Sequence, residues 1–435
     1  MSTRSCICSM IFLVGCASPV TDPLATTSLS HADRVATWLD AQARATQDGV
    51  EWPVDLMVDP PRSTMDLYHG AGGIILFYLE HYHATGRERS LELARTGAAE
   101  IRARLSAGFE GQQMGLYTGI AGTAYVFAEL YRTTGDADDK IMALTCLRQL
   151  ILTARQAGDE RGWNNSTDII SGSAGIGLAL IRLADELESS AALNSATRAG
   201  DRLIALAERD GDRMSWAASV GDPRKMPNFS HGTAGVAYFL ARLHQATGEE
   251  RFLAAARAGA EQLLALAGSD GLVYHDTDNL ELDYLSWCHG PPGTAHLFAA
   301  LDEITGEARY RAWIDQVAAT LAASPIPAEK TPGFWNNHGQ CCGTAGVADF
   351  FMRVGDAGEP VHAARLDSLV NALAAAGEEG PDGLFWTGAE HRVRPELLST
   401  QTGYTQGAAG IGLLFLHDYA RRRGAPRRIV LPDQG

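Results

Sequence analysis

Strand-like alternation of apolar and polar residues is scarce in this chain, and no linker or low-complexity segment interrupts it after about residue 30. The first absence points away from a sheet-based fold and toward helices; the second leaves one domain. Basic clusters are nearly missing too. Thirty-six Lys and Arg stand against 52 Asp and Glu, a formal net charge of −16, whereas a nucleic-acid partner would call for a basic face. Arginines gather only near the end, at Arg421 to Arg423, Arg427 and Arg428, and read as a solvated chain end with residues 426–435 as a C-terminal tail. Cysteine is sparse: seven in 435 residues make no disulfide scaffold, which needs many in a short chain. Cys6, Cys8 and Cys16 fall at the start, and Cys146 sits in the helical IMALTCLRQLI as a core residue. Cys288, Cys341 and Cys342 cluster.

Glycine is plentiful and in register. A Gly-x-x-Gly step followed by small and apolar residues begins at Gly70, Gly119, Gly172, Gly232, Gly290, Gly343 and Gly407, with gaps of 49, 53, 60, 58, 53 and 64 residues. A period of this size signals repeated supersecondary units. In GIAGTAYVFAELYRTTG, Gly119 to Gly135, the step leads into a proline-free run rich in Ala, Leu, Tyr and Phe that ends in Thr-Gly. The same ending falls 13 residues after the second motif glycine in four copies, at Gly86, Gly135, Gly248 and Gly306. That predicts a helix of about three turns closed by a glycine C-cap. Copies three, six and seven lack the glycine there, so their helix ends stay open. An amphipathic stretch follows, such as RFLAAARAGAEQLLALA. Seven such pairs form either an open solenoid or a closed ring, and inner helices this apolar are unsuited to a groove facing water. The expected fold is all-α, an α/α toroid of seven helix pairs over residues 32–425, with the glycine steps at one end.

The first sixteen residues differ. Arg4 precedes the apolar run Ile7 to Val14, then Gly15, Cys16 and the polar ASPVTDP. An apolar segment this short behind a positive charge is a signal peptide rather than a membrane span. Leu13-Val14-Gly15-Cys16 resembles the bacterial lipobox. It implies a lipidated Cys16, a tether within residues 1–31, and an exported protein held at a membrane on its periplasmic side. An ordinary unstructured start, on a cytoplasmic protein, is the competing reading.

In a ring of repeats, equivalent positions in adjacent units lie side by side. Cys288 stands two residues before Gly290, Cys341 two before Gly343, and Cys342 one before it. Two consecutive motifs therefore present three sulfurs at one end. Three thiolates with one open position suit a catalytic zinc, one per chain, since a structural site closes with a fourth protein ligand. A vicinal Cys341–Cys342 disulfide and plain buried thiols compete with the metal.

Through these residues the chain resembles the lanthionine synthetase C-like cyclases, from about residue 32 across all seven steps. The resemblance implies a seven-fold α/α toroid holding zinc at one end. Trp287-Cys288-His289-Gly290 matches the family's Trp-Cys-x-Gly of the fifth repeat. Cys341-Cys342-Gly343 stands where the sixth has Cys-His-Gly, so Cys342 takes a histidine ligand's place, as in family members with three cysteine ligands. His231, opening the fourth repeat's His-Gly-x-x-Gly, and Asp168, ahead of the third motif, match catalytic positions. His231 is thereby the acid/base, its ordinary pKa of about 6.5 suiting proton transfer near neutrality, and Asp168 orients it or the substrate. Two positions depart from the family: His289, where Tyr is usual, and Tyr284, where Arg is usual. The implied activity is addition of a zinc-activated cysteine thiol, of a peptide or a small thiol such as glutathione, to dehydroalanine or dehydrobutyrine, giving a thioether. A third thiolate in place of a neutral imidazole makes the site more anionic and the bound thiolate more nucleophilic.

Each residue also has a plainer role. His231 fits a cap at a helix start, Asp168 a cap of the third inner helix, and Trp287 packing beside the cysteines. His289 fits a supporting hydrogen-bond donor or an alternative acid. His338, three residues before Cys341, competes as a ligand from outside the register. Two other functions stay open. One is a membrane-tethered toroid that binds zinc or peptide without turnover. The other is a glycoside-active toroid, for which Asp276, Asp278, Glu281 and Asp283 offer carboxylates without a spacing that singles out an acid and a base. Export sits badly with a peptide cyclase, because lanthionine rings are normally closed before export, and the chain carries no dehydratase domain. The expected protein is a monomer.

Overall fold

The computed structural model describes residues 22–157, 162–354 and 360–435; the leader with Cys6, Cys8 and Cys16 lies outside them. At Asp22 the carboxylate accepts the Leu24 N–H at 3.0 Å, with Pro23 at the first helical position. From there the chain runs through α1 (Pro23–Gln42), α2 (Ala71–Thr85), α3 (Glu88–Ser106), α4 (Ile120–Thr134), α5 (Ala137–Ala157), α6 (Ser173–Glu186) and α7 (Ser190–Leu206). It continues with α8 (Thr233–Thr247), α9 (Glu250–Leu266), α10 (Pro291–Thr305), α11 (Ala308–Ala323), α12 (Thr344–Val354), α13 (Pro360–Ala375) and α14 (Ala408–Arg422). Every even-numbered helix starts at a Gly-x-x-Gly step. Consecutive even helices touch, and α14 returns to α2, so they close into a ring.

The odd-numbered helices from α3 to α13 are the outer partners of the first six inner helices. The seventh, α14, takes its partner from the other end of the chain: α1 lies against it, with Ser28 Oγ donating to Asp418 at 2.7 Å. The fold is the all-α toroid of seven pairs, but its first helix begins at Pro23 rather than at residue 32, because closing the outer layer requires it. The inner helices are largely apolar and walled in on both faces; from Ile120 to Leu130 every residue of α4 is buried. Among the described residues four two-stranded hairpins lie between the helices, the last two being β5–β6 (Glu378–Gly380, Gly383–Phe385) and β7–β8 (Gly388–Ala389, Leu398–Ser399).

Close approach accounts for the repeated glycines. In all seven copies a Cβ on the second motif glycine would strike the carbonyl oxygen six residues earlier, at 1.9 Å for Gly175 on Ile169 and 1.8 Å for Gly410 on Tyr404. The same return loops cap the helices. The first helical N–H donates to the carbonyl seven residues back, Ala71 to Thr64 and Ile120 to Gln113 at 2.9 Å each, satisfying donors that a helix start leaves open. At the other end Gly86, Gly135, Gly248 and Gly306 close their helices with φ of 66° to 71°. The third copy ends instead on Glu188, φ 53°, and the seventh on Gly424, φ 63°.

The chain end departs from expectation: it is not a solvated tail. Ile429, Leu431 and Asp433 are fully buried, because the segment after α14 folds back into the hollow of the ring. Glu80 of α2 accepts the Ile429 N–H at 2.6 Å, and His417 of α14 donates to the Ile429 carbonyl at 3.1 Å. Tyr125 of α4 donates to the Val430 carbonyl at 2.7 Å, and Tyr238 of α8 to the Gly435 carbonyl at 2.8 Å. The arginines are mostly engaged. Arg421 and Arg422 pair with Asp418, Arg422 also with Asp367, and Arg427 with Asp349 of α12.

Candidate metal centre

The seven return loops are stitched into a closed circle of backbone hydrogen bonds at the position two residues before the first motif glycine. Thr405 donates to Tyr68 (3.1 Å), Tyr68 to Tyr117 (2.9 Å), Tyr117 to Ile170 (2.9 Å), Ile169 to Ser230 (3.1 Å), Ser230 to Cys288 (2.8 Å), Cys288 to Cys341 (3.0 Å) and Cys341 to Thr405 (2.9 Å). One step, at Ile169, is displaced by a residue. This circle sets the cysteines side by side. Cys288 and Cys341 occupy adjacent places in it, and Cys342 follows directly.

The Cys342 sulfur lies 3.3 Å from that of Cys288 and 3.3 Å from that of Cys341, and all three fall within 4.8 Å of one another. These gaps are too long for a disulfide of about 2.05 Å, and all four described cysteines are free. They are close to the roughly 3.7 Å that thiolates on one tetrahedral zinc adopt, given Zn–S bonds of about 2.3 Å. Burial alone pushes the Cys288 thiol up, but hydrogen bonds from Cys341 and Cys342 outweigh it and hold Cys288 well below the usual thiol range. Cys341 and Cys342 are raised, chiefly by donating toward Cys288 and by burial. Two thiols thus direct their S–H groups toward one sulfur of lowered pKa, an arrangement that a cation would complete by displacing protons. Outer donors surround it: Tyr68 Oη lies 3.7 Å from the Cys341 sulfur and Gln406 Nε2 3.6 Å from that of Cys342. Beside Cys288, Trp287 Nε1 and His289 Nδ1 are buried and unpartnered. The donor set fits a thiophilic metal.

At the edge of the cluster His231 Nδ1 donates to Asp168 Oδ2 at 2.6 Å. The other Asp168 oxygen accepts the Ser171 and Gly172 N–H groups at 2.9 and 2.8 Å, so one carboxylate both caps the third inner helix and fixes the imidazole. Burial lowers the His231 pKa, yet the hydrogen bond and charge of Asp168 outweigh it and the net shift is upward. The His231 side chain remains 36% exposed. His289 lies 5.6 Å away, ring to ring, with its pKa driven by burial down to about 3. It is neutral and packed, whereas His231 is open and chargeable.

A family profile described as Lanthionine synthetase C-like protein matches residues 62–423. The chain belongs to the lanthionine synthetase C-like family. No curated protein sequence matches it. Among solved structures it is similar to a nisin cyclase, at 17% identity and a TM-score of 0.62, covering 82% of this chain and 88% of that one. It is also similar to an α-1,6-mannanase of Salegentibacter sp. HEL1_6, at 14% identity and a TM-score of 0.50, covering 91% and 99%. At these identities both likenesses speak for the toroid alone.

In this lanthionine synthetase C-like chain the other candidates fall as follows. Trp287 packs edge-on to Tyr117 and Phe229. His338 stands outside the sulfur cluster, near Gly388 and Glu390. The carboxylates proposed for a glycoside site form no facing pair. Asp276 is buried and accepts from His275 (2.7 Å) and Asn279 (2.9 Å), while Asp278 and Glu281 lie on the surface. Residues missed from sequence include Tyr68 and Gln406, which hold the same register positions in repeats one and seven as Cys341 and Cys342 in repeat six. That register was the signal available. Tyr284 and His275 were missed as partners of the site: the His275 ring lies 4.4 Å from both Tyr284 and His289. Arg392, between β7 and β8, donates to the Tyr284 hydroxyl at 3.2 Å and makes no ion pair among the described residues. Burial raises the Tyr284 phenol to about 12, so it keeps its proton.

Proposed function

We propose that the chain is a zinc-dependent enzyme that adds a thiol to the β-carbon of a dehydroamino acid and so forms a thioether. The observation that carries this reading is a buried three-sulfur cluster beside a part-exposed His231 held by the buried Asp168. Cys288, Cys341 and Cys342 would hold zinc, which would supply the Lewis acidity that lets a substrate thiol ionise near neutral pH. His231, its Nδ1 committed to Asp168 and its Nε2 unpartnered, takes up the thiol proton. The thiolate electron pair makes the C–S bond, the alkene pair moves onto the carbonyl as an enolate, and His231 returns the proton to the α-carbon. Tyr284, protonated and backed by Arg392, is the donor for the enolate oxygen. The thiol belongs to a peptide or to a small molecule such as glutathione.

A lipid at Cys16 would orient the ring. Asp22 pairs with Arg422 at 3.4 Å, at the end of α14 opposite its motif glycine, so a tether there leaves the sulfur end facing away from the membrane.

The test uses zinc-loaded full-length chain, glutathione and N-acetyl-dehydroalanine methyl ester, with thioether followed by mass spectrometry. Product above the blank supports the reading. No product at any pH between about 6 and 9 ends it and leaves a non-catalytic zinc- or peptide-binding toroid. The Asp168→Asn variant is expected to lose about 10²-fold or more in kcat. Its pH profile carries a sign. His231 must be neutral to take up the thiol proton, so activity rises as pH rises through its raised pKa; without the Asp168 charge that rise moves to lower pH.

A further inference from the structure

Ile429 to Gly435 are reached by side chains from opposite sides of the ring: Glu80 and Tyr125 from α2 and α4, Tyr238 from α8, His417 from α14. Only the axis of a ring is within reach of helices so placed. Ile429 and Val430 lead into a turn over residues 431–434, closed by the Gln434 N–H donating to the Leu431 carbonyl at 2.9 Å, and the segment's main chain rather than its side chains makes most of the bonds to the ring. Ile429 and Leu431 meet apolar walls, and Asp433 is fully buried. The Asp433 carboxylate accepts the Tyr117 hydroxyl at 3.0 and 3.1 Å, and Gln434 donates to the Tyr404 hydroxyl at 3.0 Å. Tyr117 is a member of the loop circle. Its ring lies 5.7 Å from Trp287, the residue before Cys288, in an edge-on contact. A small cavity directly under the cluster is walled by Tyr117, Trp287, Cys341, Tyr404 and Gln434.

We infer that the hollow of the ring is a binding site for a peptide segment that ends in a turn, filled here by the chain's own residues 429–435, and that Asp433 is a positioning residue for the floor beneath the cysteines. The peptide class it takes is defined by its contacts: aliphatic residues two apart, then Pro and Asp, bound through main-chain carbonyls and one carboxylate. With the hollow occupied from the far end, the sulfur cluster is approached only from the loop end. A cavity of about 560 Å³ between α6, α8 and the tail remains open beside Gly435, so the last residue is accessible while Asp433 is not.

Two readouts test this, and neither needs bound metal or turnover, so their failure is separate from failure of the proposed chemistry. Carboxypeptidase acting on folded full-length chain is expected to release Gly435 and stop short of Asp433, while denatured chain is trimmed past Ile429. Alkylation of the three cluster cysteines, read against Cys146 by mass spectrometry, is expected to quicken several-fold in Asp433→Ala. It should stay near the parent rate in Asp433→Asn, which still accepts from Tyr117. If Asp433→Ala does not fold, Tyr117→Phe removes only the donor and should quicken labelling likewise. Trimming of the folded chain past Ile429 at the denatured rate would overturn the inference. So would parent-like labelling in a folded Asp433→Ala or Tyr117→Phe chain.

Discussion

Cys288→Ala is expected to take bound zinc from about one per chain to none, as read by elemental analysis of purified protein. Cys288 is the sulfur on which the cluster turns. Hydrogen bonds from Cys341 and Cys342 lower its pKa well below the usual thiol range, and its backbone links the fifth loop to both neighbours through Ser230 and Cys341. Alanine keeps those backbone bonds and removes only the sulfur, leaving two raised thiols that must both lose protons unaided. A two-ligand site binds zinc far more weakly than three thiolates do. Cys146→Ala is the control, since that thiol is buried alone in α5 with its pKa pushed up to about 12. Loss of metal in Cys288→Ala with retention in Cys146→Ala is the outcome required. Equal zinc in both would remove the cluster as a metal centre. Cys342→His should keep the metal, since imidazole is also a zinc ligand. It should slow alkylation of a bound thiol, because a neutral donor replaces an anionic one.

The toroid was legible because its signals are local and repeated. Gly-x-x-Gly recurs where loop carbonyls crowd the helix start, and Thr-Gly recurs where a left-handed cap is needed. Adjacency of Cys288 and Cys341 followed from the same register. What did not follow has a common physical reason: it depends on contacts between segments distant in sequence. Nothing near Pro23 says that α1 completes the last pair rather than preceding the first. Nothing in PRRIVLPDQG says that its Ile, Leu and Asp are enclosed, since composition at a chain end reads as solvated and only the ring supplies Glu80, Tyr117 and Tyr238 around it. Arg392 escaped notice because it stands outside the repeats, on a hairpin loop, and reaches Tyr284 across 108 positions.

The hydrogen-bonded loop circle also explains why the site tolerates its own electrostatics. Three sulfurs and Asp168 are held at one end of a chain whose formal net charge is −16. Their charge is met largely by fixed donors, with His231 on one Asp168 oxygen: Tyr68 and Gln406 point toward the sulfurs, and backbone N–H groups toward the other Asp168 oxygen. Such fixed donors stabilise an anion without neutralising it, which leaves the charge available to a metal.

Gly175→Ala is expected to destabilise the fold by about 3 kcal/mol or more, the upper range for forcing atoms into a packed interior. Its Cβ would sit 1.9 Å from the Ile169 carbonyl oxygen and 3.0 Å from the Leu116 side chain. Neither can yield cheaply, because Ile169 donates its N–H to Ser230 in the loop circle. The Gly175 N–H itself bonds the Asp168 carbonyl at 3.0 Å, so the displacement reaches the residue that holds His231. Gly135→Ala is the matched comparison. That glycine has φ 71° and nothing within 4 Å of an added Cβ, so alanine meets only backbone strain of about 1–2 kcal/mol. Urea unfolding of the two variants separates the explanations. Glycines selected for close approach require Gly175→Ala to be much the less stable, with weaker His231-dependent chemistry in whatever remains folded. Equal midpoints, or the reverse order, would mean that the motif glycines serve turn geometry and that the contact account of the repeat is wrong.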